Sequence, residues 1–285
     1  MTQTIALIGH PVAHSISPAF QQAALDALGV DARYEAWDLL EADLPVAAER
    51  LRSAQLLGAN VTVPHKQAML RFVDRPDALV ERVGALNTIV RRDSLLHATN
   101  TDVSGLLAAL RAADADPRGL RVLVVGAGGA ARAAVVAMRS ARAASVVVAN
   151  RTLARAEALT NLGGTELTVT AVPLDVGAPA FVAAMAAADL VLQSTTIGMR
   201  HGPDEGGTPV PASLFHRGQV AFDLVYVPER TPFLAAAEAG GARPIGGLGM
   251  LVHQGAEAFR LWTGFDPPIE VMSQAARAAL AAREA

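Results

Sequence analysis

Glycines at 126 and 128 and alanine at 131, in the run LRVLVVGAGGAARAA over residues 120–134, have the spacing with which a backbone wraps a pyrophosphate. Residues 122–125 supply a buried strand. Gly126 and Gly128 let the chain turn tightly and approach the phosphates, and Ala131 stands where helix and strand pack closely. The helix that starts there offers free N–H groups to anionic oxygens. An ordinary strand-to-helix turn can carry the same glycines, so the following strand matters. That strand, expected over 145–149, runs into Asn150, Arg151 and Thr152, with Arg155 one helical turn later. No carboxylate is present to accept from the ribose hydroxyls of NAD. Two guanidiniums and a hydroxyl suit the 2′-phosphate of NADP instead, because arginine makes forked, charge-assisted bonds to phosphate oxygens. A first turn that merely carries surface arginines would set them against the helix dipole, which makes that reading less attractive. The cofactor expected is NADP.

A hydride-transferring site also needs a group that gives or takes a hydroxyl proton. The region before the glycine turn offers one lysine, Lys66, which follows Asn60, Val61, Thr62, Val63, Pro64 and His65. This order places it in the first turn of a helix expected over 66–72. The positive end of a helix dipole and partial burial would both favour the neutral amine, which can accept a proton. Asp102, at another element boundary, is the carboxylate that would orient it. Each has a plainer reading, a solvated lysine and an aspartate capping the next helix; together they point to chemistry. Ser15, Ser17, Thr62 and Asn87 stand at strand ends and can donate, accept or present an amide, as a hydroxylated acid requires. Ser17 is also the natural N-cap ahead of Pro18, and Thr62 an ordinary β-branched strand residue. His10, His14 and His65 lack metal-ligand spacing, so no metal is expected.

The elements that must position these residues follow from periodicity. Strands are expected over 4–8, 34–38, 58–63 and 86–90, with helices over 18–28, 41–56 and 66–72 between them. A helix over 103–113 leads out of this region, and Asp116, Pro117 and Gly119 break the chain before the dinucleotide strand. Beyond 149 the alternation continues through 152–162, 166–172, 179–187, 190–193 and 220–224, a doubly wound pattern. Helices over 232–239, 248–262 and 268–282 close the chain. The Gly- and Pro-rich stretch 198–211 is a candidate mobile loop with no role assigned. At 285 residues two domains are expected.

Composition narrows the rest. A net charge of −3 with a pI near 6.2 and no basic run argues against nucleic acid as a partner. The absence of cysteine removes disulfides and thiolate chemistry and fits the cytoplasm. Hydrophobic residues make up 52% of the chain, much of it alanine on helices. No apolar run reaches the ~18 residues of a membrane span, and the first residues read as a strand rather than a signal peptide.

The ordered blocks GHPVAHSISP, GANVTVPHK, GALNTI, NTD, GAGGAARA, NRTLARA, DLVYVPERTP and GLGMLVHQGAEAFRLWTG, from Gly9 through Gly264, carry a resemblance to shikimate dehydrogenases. The resemblance implies NADPH-dependent reduction of 3-dehydroshikimate to shikimate, on the route to chorismate and the aromatic amino acids. It implies an α/β fold with an N-terminal substrate domain (1–102), an NADP-binding Rossmann domain (103–240) and C-terminal helices (241–285) returning to the substrate domain. By motif, Lys66 and Asp102 match the catalytic pair. Ser15 and Ser17 match the serines that hold the substrate carboxylate, assisted by Tyr226, while Thr62, Asn87 and Gln254 match residues that bind ring hydroxyls. Gly126, Ala127, Gly128, Gly129 and Ala130 match the pyrophosphate turn, and Asn150, Arg151, Thr152 and Arg155 the NADP-selective segment. Thr195, Leu224, Gly247 and Met250 fall on the nicotinamide side. Partners are then the small-molecule substrate alone, in a monomer or homodimer.

Departures from the family pattern are Gln21 and Gln22 for His-Asn, Gln193 for Asn, Thr196 for Pro, and DSLLHAT before Asn100 in place of a glycine-punctuated turn. A dual quinate/shikimate dehydrogenase and a catalytically silent ligand sensor on the same fold stand as alternatives. The arginines speak against the first, with its frequent use of NAD, and the presence of both Lys66 and Asp102 against the second.

Overall fold

Residues 5–8 are all buried, as a strand covered on both faces must be, and they form the centre of β1 (Gln3–Gly9). There follow α1 (Ser17–Ala27), β2 (Ala32–Asp38), α2 (Leu44–Leu51), β3 (Leu56–Val61), β4 (Arg75–Pro76), α3 (Ala78–Val83), β5 (Thr88–Arg92) and β6 (Leu95–Thr99). The sheet runs β2-β1-β3-β5-β6-β4, with β1 parallel to β2 and β3 and with β5 antiparallel to β3 and β6. One core packs Ile8, Leu44, Leu51, Val61, Met69, Ile89 and Leu96 together. The computed structural model describes residues 2–284.

Local chemistry moves several boundaries away from the sequence expectation. Ser17 is the first residue of α1, not its cap: Ile16 holds the cap position and no side chain caps the helix. The Ser17 N–H is taken by Ser15 Oγ (3.2 Å), a local turn that competes with capping. The expected helix over 66–72 is a series of turns and a 3₁₀ segment, Ala68–Phe72. The expected 41–56 helix is a 3₁₀ turn, Glu41–Asp43, and then α2, with Pro45 in its first turn. The β5–β6 hairpin was absent from the sequence reading. Its two turn residues, Asp93 (φ 50°) and Ser94 (φ 65°), adopt the left-handed conformation that glycine usually supplies.

Helix α4 (Thr101–Ala112) leads into β7 (Arg121–Val125), α5 (Gly129–Ser140), β8 (Ser145–Asn150), α6 (Leu153–Glu157), β9 (Val169–Pro173), α7 (Pro179–Ala187), β10 (Leu190–Gln193), β11 (Val220–Asp223), α8 (Pro232–Ala239) and β12 (Arg243–Ile245). All six strands are parallel, in the order β12-β11-β10-β7-β8-β9. The order reverses between β7 and β10, the place where doubly wound sheets bind dinucleotides. Helices α9 (Leu248–Thr263) and α10 (Ile269–Glu284) complete the chain, and α10 packs on α1.

Two compact units result, Met1–Gly105 with Leu251–Ala285, and Leu106–Met250. The divisions fall within α4 and α9. The border expected after residue 240 therefore comes at Met250, because the short edge strand β12, with Pro244 at its middle, had no readable periodicity. Among the described residues no helix is long and apolar enough to cross a membrane.

Asp223 ends β11 fully buried, accepting from Thr231 Oγ1 (2.6 Å) and the Val225 N–H (2.9 Å). Burial pushes its carboxyl up to about 7, against the pull of those two bonds. An unfolded aspartate titrates near ~3.9, so the native chain binds the extra proton between these values. Its contribution to stability is full below that range and lost as pH rises through about 7. Asp223→Asn, which cannot ionise, is expected to gain stability relative to the parent between about pH 5 and about pH 8. Chemical denaturation of both proteins at the two values checks this, and a difference that does not change with pH would refute it.

Candidate active site

The chain leaves β3 at Val61 and turns. The Thr62 N–H bonds Ile8 O (2.8 Å), the His65 N–H bonds Thr62 O (2.9 Å), and Lys66 O accepts from the Leu86 N–H (2.9 Å). Gly9 allows this path, since a Cβ there would lie 2.5 Å from Thr62 Cγ2. The backbone of Lys66 is thus pinned at both sides of the sheet edge. Its Nζ lies 2.6 Å from Asp102 Oδ2, with the lysine side chain 18% and the aspartate 7% exposed. No α-helix follows Lys66, so the helix field expected to act on it is missing; the carboxylate is its partner. Asp102 is not a cap either. It sits inside the first turn of α4, where its N–H bonds Asn100 Oδ1 (3.1 Å) and its charge suits the positive helix end.

Asn87 joins this pair to the rest. Its Oδ1 accepts the Thr101 backbone N–H (2.7 Å), a donor whose identity is beyond doubt, so its Nδ2 faces the other way. Nδ2 meets three acceptors, Asp102 Oδ1 (2.8 Å), Thr101 Oγ1 (3.0 Å) and Gln254 Oε1 (3.1 Å). An amide has two hydrogens, and the Thr101 hydroxyl brings a third, within reach of Gln254 Oε1 (3.4 Å), so these polar atoms satisfy one another. Gln254 is oriented by its own Nε2 bond to Leu251 O (2.9 Å), and Gly105 lets α9 come close, since a Cβ there would meet Gln254 Cβ at 2.6 Å. A buried group of amides, hydroxyl and carboxylate beside a lysine is complementary to a ligand that carries hydroxyls and exchanges a proton.

Lys66, Asp102, Asn87 and Gln254 are therefore assembled in one hydrogen-bonded group. Thr62 stands four residues before the lysine on the same turn. Ser15 and Ser17 belong to the entry of α1, which is tied to α9 by the buried Gln21 Nε2 donating to Gly255 O (2.9 Å), next to Gln254. Gln22 links α1 to β2 through the Tyr34 N–H (3.0 Å). Tyr226 lies in the second unit, in the segment after β11. Sequence reasoning missed the roles of Thr101, Thr88, Asn60 and Tyr34. Asn60, Thr88 and Thr101 stand inside the motifs GANVTVPHK, GALNTI and NTD, but nothing in residue type or spacing distinguishes them.

In the second unit the expected cofactor residues gather at the carboxyl ends of the parallel strands. Gly126 has φ 113°, and a Cβ there would lie 2.6 Å from Ser194 Oγ, so glycine is required. Gly128 is different: its φ of −91° suits any residue, and a Cβ would meet nothing within 4 Å. Its bareness leaves open space in front of α5, whose first turn has no side-chain cap. Ala127, Gly129 and Ala130 complete that turn, partly exposed, and Ala131 is fully buried against the sheet. Uncapped N–H groups behind an open glycine fit a pyrophosphate.

Asn150 ends β8 and turns its Nδ2 onto Thr152 O (2.9 Å); Arg151, Thr152 and Arg155 are exposed, and neither arginine is in an ion pair among the described residues. Two unengaged guanidiniums and a hydroxyl fit a phosphate monoester. Thr195 is held by Gln193, whose Oε1 takes the Thr195 N–H (2.5 Å) and whose Nε2 reaches Ile197 O (2.9 Å), so glutamine in place of asparagine still braces the loop. Leu224 follows β11. Gly247 follows β12, where a Cβ would lie 2.6 Å from Asp223 O, and the buried Met250 is in the first turn of α9. Half-buried Arg132, in the first turn of α5, was not anticipated, and burial pushes its guanidinium down from its usual value.

Comparison with known proteins agrees with this geometry. Residues 7–89 match the shikimate dehydrogenase substrate binding domain, 107–198 the shikimate/quinate 5-dehydrogenase family and 247–277 the shikimate 5′-dehydrogenase C-terminal domain. A shikimate dehydrogenase (NADP⁺) of Moorella thermoacetica is 45% identical over 99% of this chain and 95% of its own. One from Methanopyrus kandleri is 40% identical over 96% and 94%. The crystal structure of shikimate 5-dehydrogenase from Thermus thermophilus, in complex with NADP(H) and shikimate, superposes with a TM-score of 0.87 at 42% identity, covering 98% of this chain and 100% of that one.

Proposed function

The chain belongs to the shikimate dehydrogenase family, and we propose that it catalyses the reversible, NADP-linked reduction of 3-dehydroshikimate to shikimate. The observation that carries this reading is the Lys66–Asp102 pair at 2.6 Å, set beside the amides of Asn87 and Gln254. NADPH, when bound, supplies the hydride for the carbonyl carbon. Lys66 Nζ gives its proton to the carbonyl oxygen as the alcohol forms and takes it back in the oxidative direction. Asp102 holds the amine in line and balances its charge. Asn87 and Gln254 present amides to the ring hydroxyls, with Thr62 beside them. Ser15, Ser17 and Tyr226 hold the substrate carboxylate.

On the cofactor side, Gly126, Ala127, Gly128, Gly129 and Ala130 with the α5 N–H groups would hold the pyrophosphate. Asn150, Arg151, Thr152 and Arg155 would take the 2′-phosphate, and Thr195, Leu224, Gly247 and Met250 would line the nicotinamide. The partners in this reading are small molecules alone, the compartment is the cytoplasm, and the working form is a monomer or homodimer.

The deciding experiment incubates purified protein with shikimate or quinate, each with NADP⁺ or NAD⁺, and follows nicotinamide reduction by absorbance. Fast reduction with shikimate and NADP⁺ alone is expected; comparable quinate or NAD⁺ rates would replace this reading with dual specificity, and silence in all four would end it. Lys66→Ala is expected to lower kcat by about 10²- to 10⁴-fold with little change in NADP binding, and an unchanged kcat would remove the lysine from the mechanism. Arg151→Ala with Arg155→Ala is expected to weaken NADP by roughly 100-fold and NAD far less, because only NADP carries the extra phosphate. Titration of both cofactors checks this, and equal losses would refute it.

A further inference from the structure

Behind Asn87 the buried hydrogen bonds continue, and each has a direction. The Tyr34 hydroxyl donates to Asn60 Oδ1 (2.7 Å). With that oxygen engaged, Asn60 turns its Nδ2 to Asn87 O (3.1 Å) and Thr88 Oγ1 (3.2 Å). Thr88 Oγ1, now an acceptor, sends its own hydrogen to Asn87 Oδ1 (3.0 Å). Asn87 Nδ2 then donates to Asp102 Oδ1, and Lys66 donates to Oδ2. Tyr34 is 6% exposed, Asn60 5%, Thr88 0% and Asn87 2%, so bulk water has no place to substitute for a missing link.

The tyrosine hydroxyl is not needed for packing. The ring of Tyr34 leans on Trp262 (centroids 6.2 Å apart, planes at 55°), and Trp262 is held separately by its Nε1 bond to Ile89 O (2.8 Å). Gly58 makes room for that bond, since a Cβ there would lie 2.7 Å from Trp262 Nε1. Phenylalanine would keep the aromatic contact and lose the hydrogen bond to Asn60.

We infer that Tyr34 is a positioning residue of the reaction, acting through Asn60 and Thr88 to hold firmly the Asn87 amide that the Thr101 N–H orients, and thereby the carboxylate of Asp102 against Lys66. Linked donors in a dry interior polarise and orient one another, so removal of the first link loosens the last. The inference rests on the proposed roles of Lys66 and Asp102.

A double-mutant cycle tests it with Tyr34→Phe, Thr88→Val and the two combined, each assayed for kcat, for KM with shikimate and NADP⁺, and for unfolding free energy. Each single change is expected to lower kcat about tenfold with KM for NADP⁺ unchanged, and the double to lose no more than the worse single, because both break one chain. If Tyr34→Phe keeps the parent kcat, or loses stability alone, or if the two losses multiply, the inference is overturned while the functional reading stands. A parent protein inactive with shikimate under NADP⁺ would overturn both.

Discussion

The 2.7 Å bond from the Thr101 backbone N–H to Asn87 Oδ1 is the constraint on which the rest of the site depends. A side-chain amide can be turned either way, and a buried one turned wrongly would put oxygen against the Asp102 carboxylate. The backbone donor removes that freedom. It is available because α4 begins at Thr101, so the amide belongs to a helix start whose first N–H groups have no partner within the helix. An element boundary thus decides a side-chain orientation, which decides what the carboxylate receives and how the lysine is held. The same end of α4 brings Asn100, Thr101 and Asp102 into three different duties: cap, donor and charge.

The cofactor-facing residues follow a complementary logic. Around Asn87 the interior is filled and the polar groups are paired with one another. Around α5 the groups are exposed and acceptors are short: uncapped N–H groups, an open glycine face and unengaged guanidiniums. The choice of cation follows too. Of 24 basic side chains, Lys66 alone is lysine. Guanidinium binds anions well but does not give up its proton under ordinary conditions, so the one amine stands at the position proposed for proton transfer.

Regular elements were legible where physics is local and repetitive. The continuous apolar run of β7, the glycine turn after it and the alanine-rich α7 and α8 all lie where periodicity put them. The β5–β6 hairpin was hidden because Asp93 and Ser94 do the work of an Asn-Gly pair without containing glycine. Lys66 was placed in the right neighbourhood for a reason that does not hold: a turn, not an α-helix, carries it, and its environment comes from Asp102. Tyr34, Asn60 and Thr88 were illegible in principle. They lie far apart along the chain and meet only because β2, β3 and β5 belong to one sheet. Their types are ordinary for strands, and only three-dimensional register turns them into a connected set.

The pairing of Lys66 with Asp102 has a practical side. A reagent selective for lysine ε-amines normally decorates a protein surface at many points and reports an average. Here every such reagent has one side chain to find, shielded to 18% exposure and engaged by a carboxylate. The rate of its acylation is therefore a direct gauge of how firmly that pair is closed, free of background from the surface. The molecule carries its own single-site chemical handle at the place where its reaction is expected to occur.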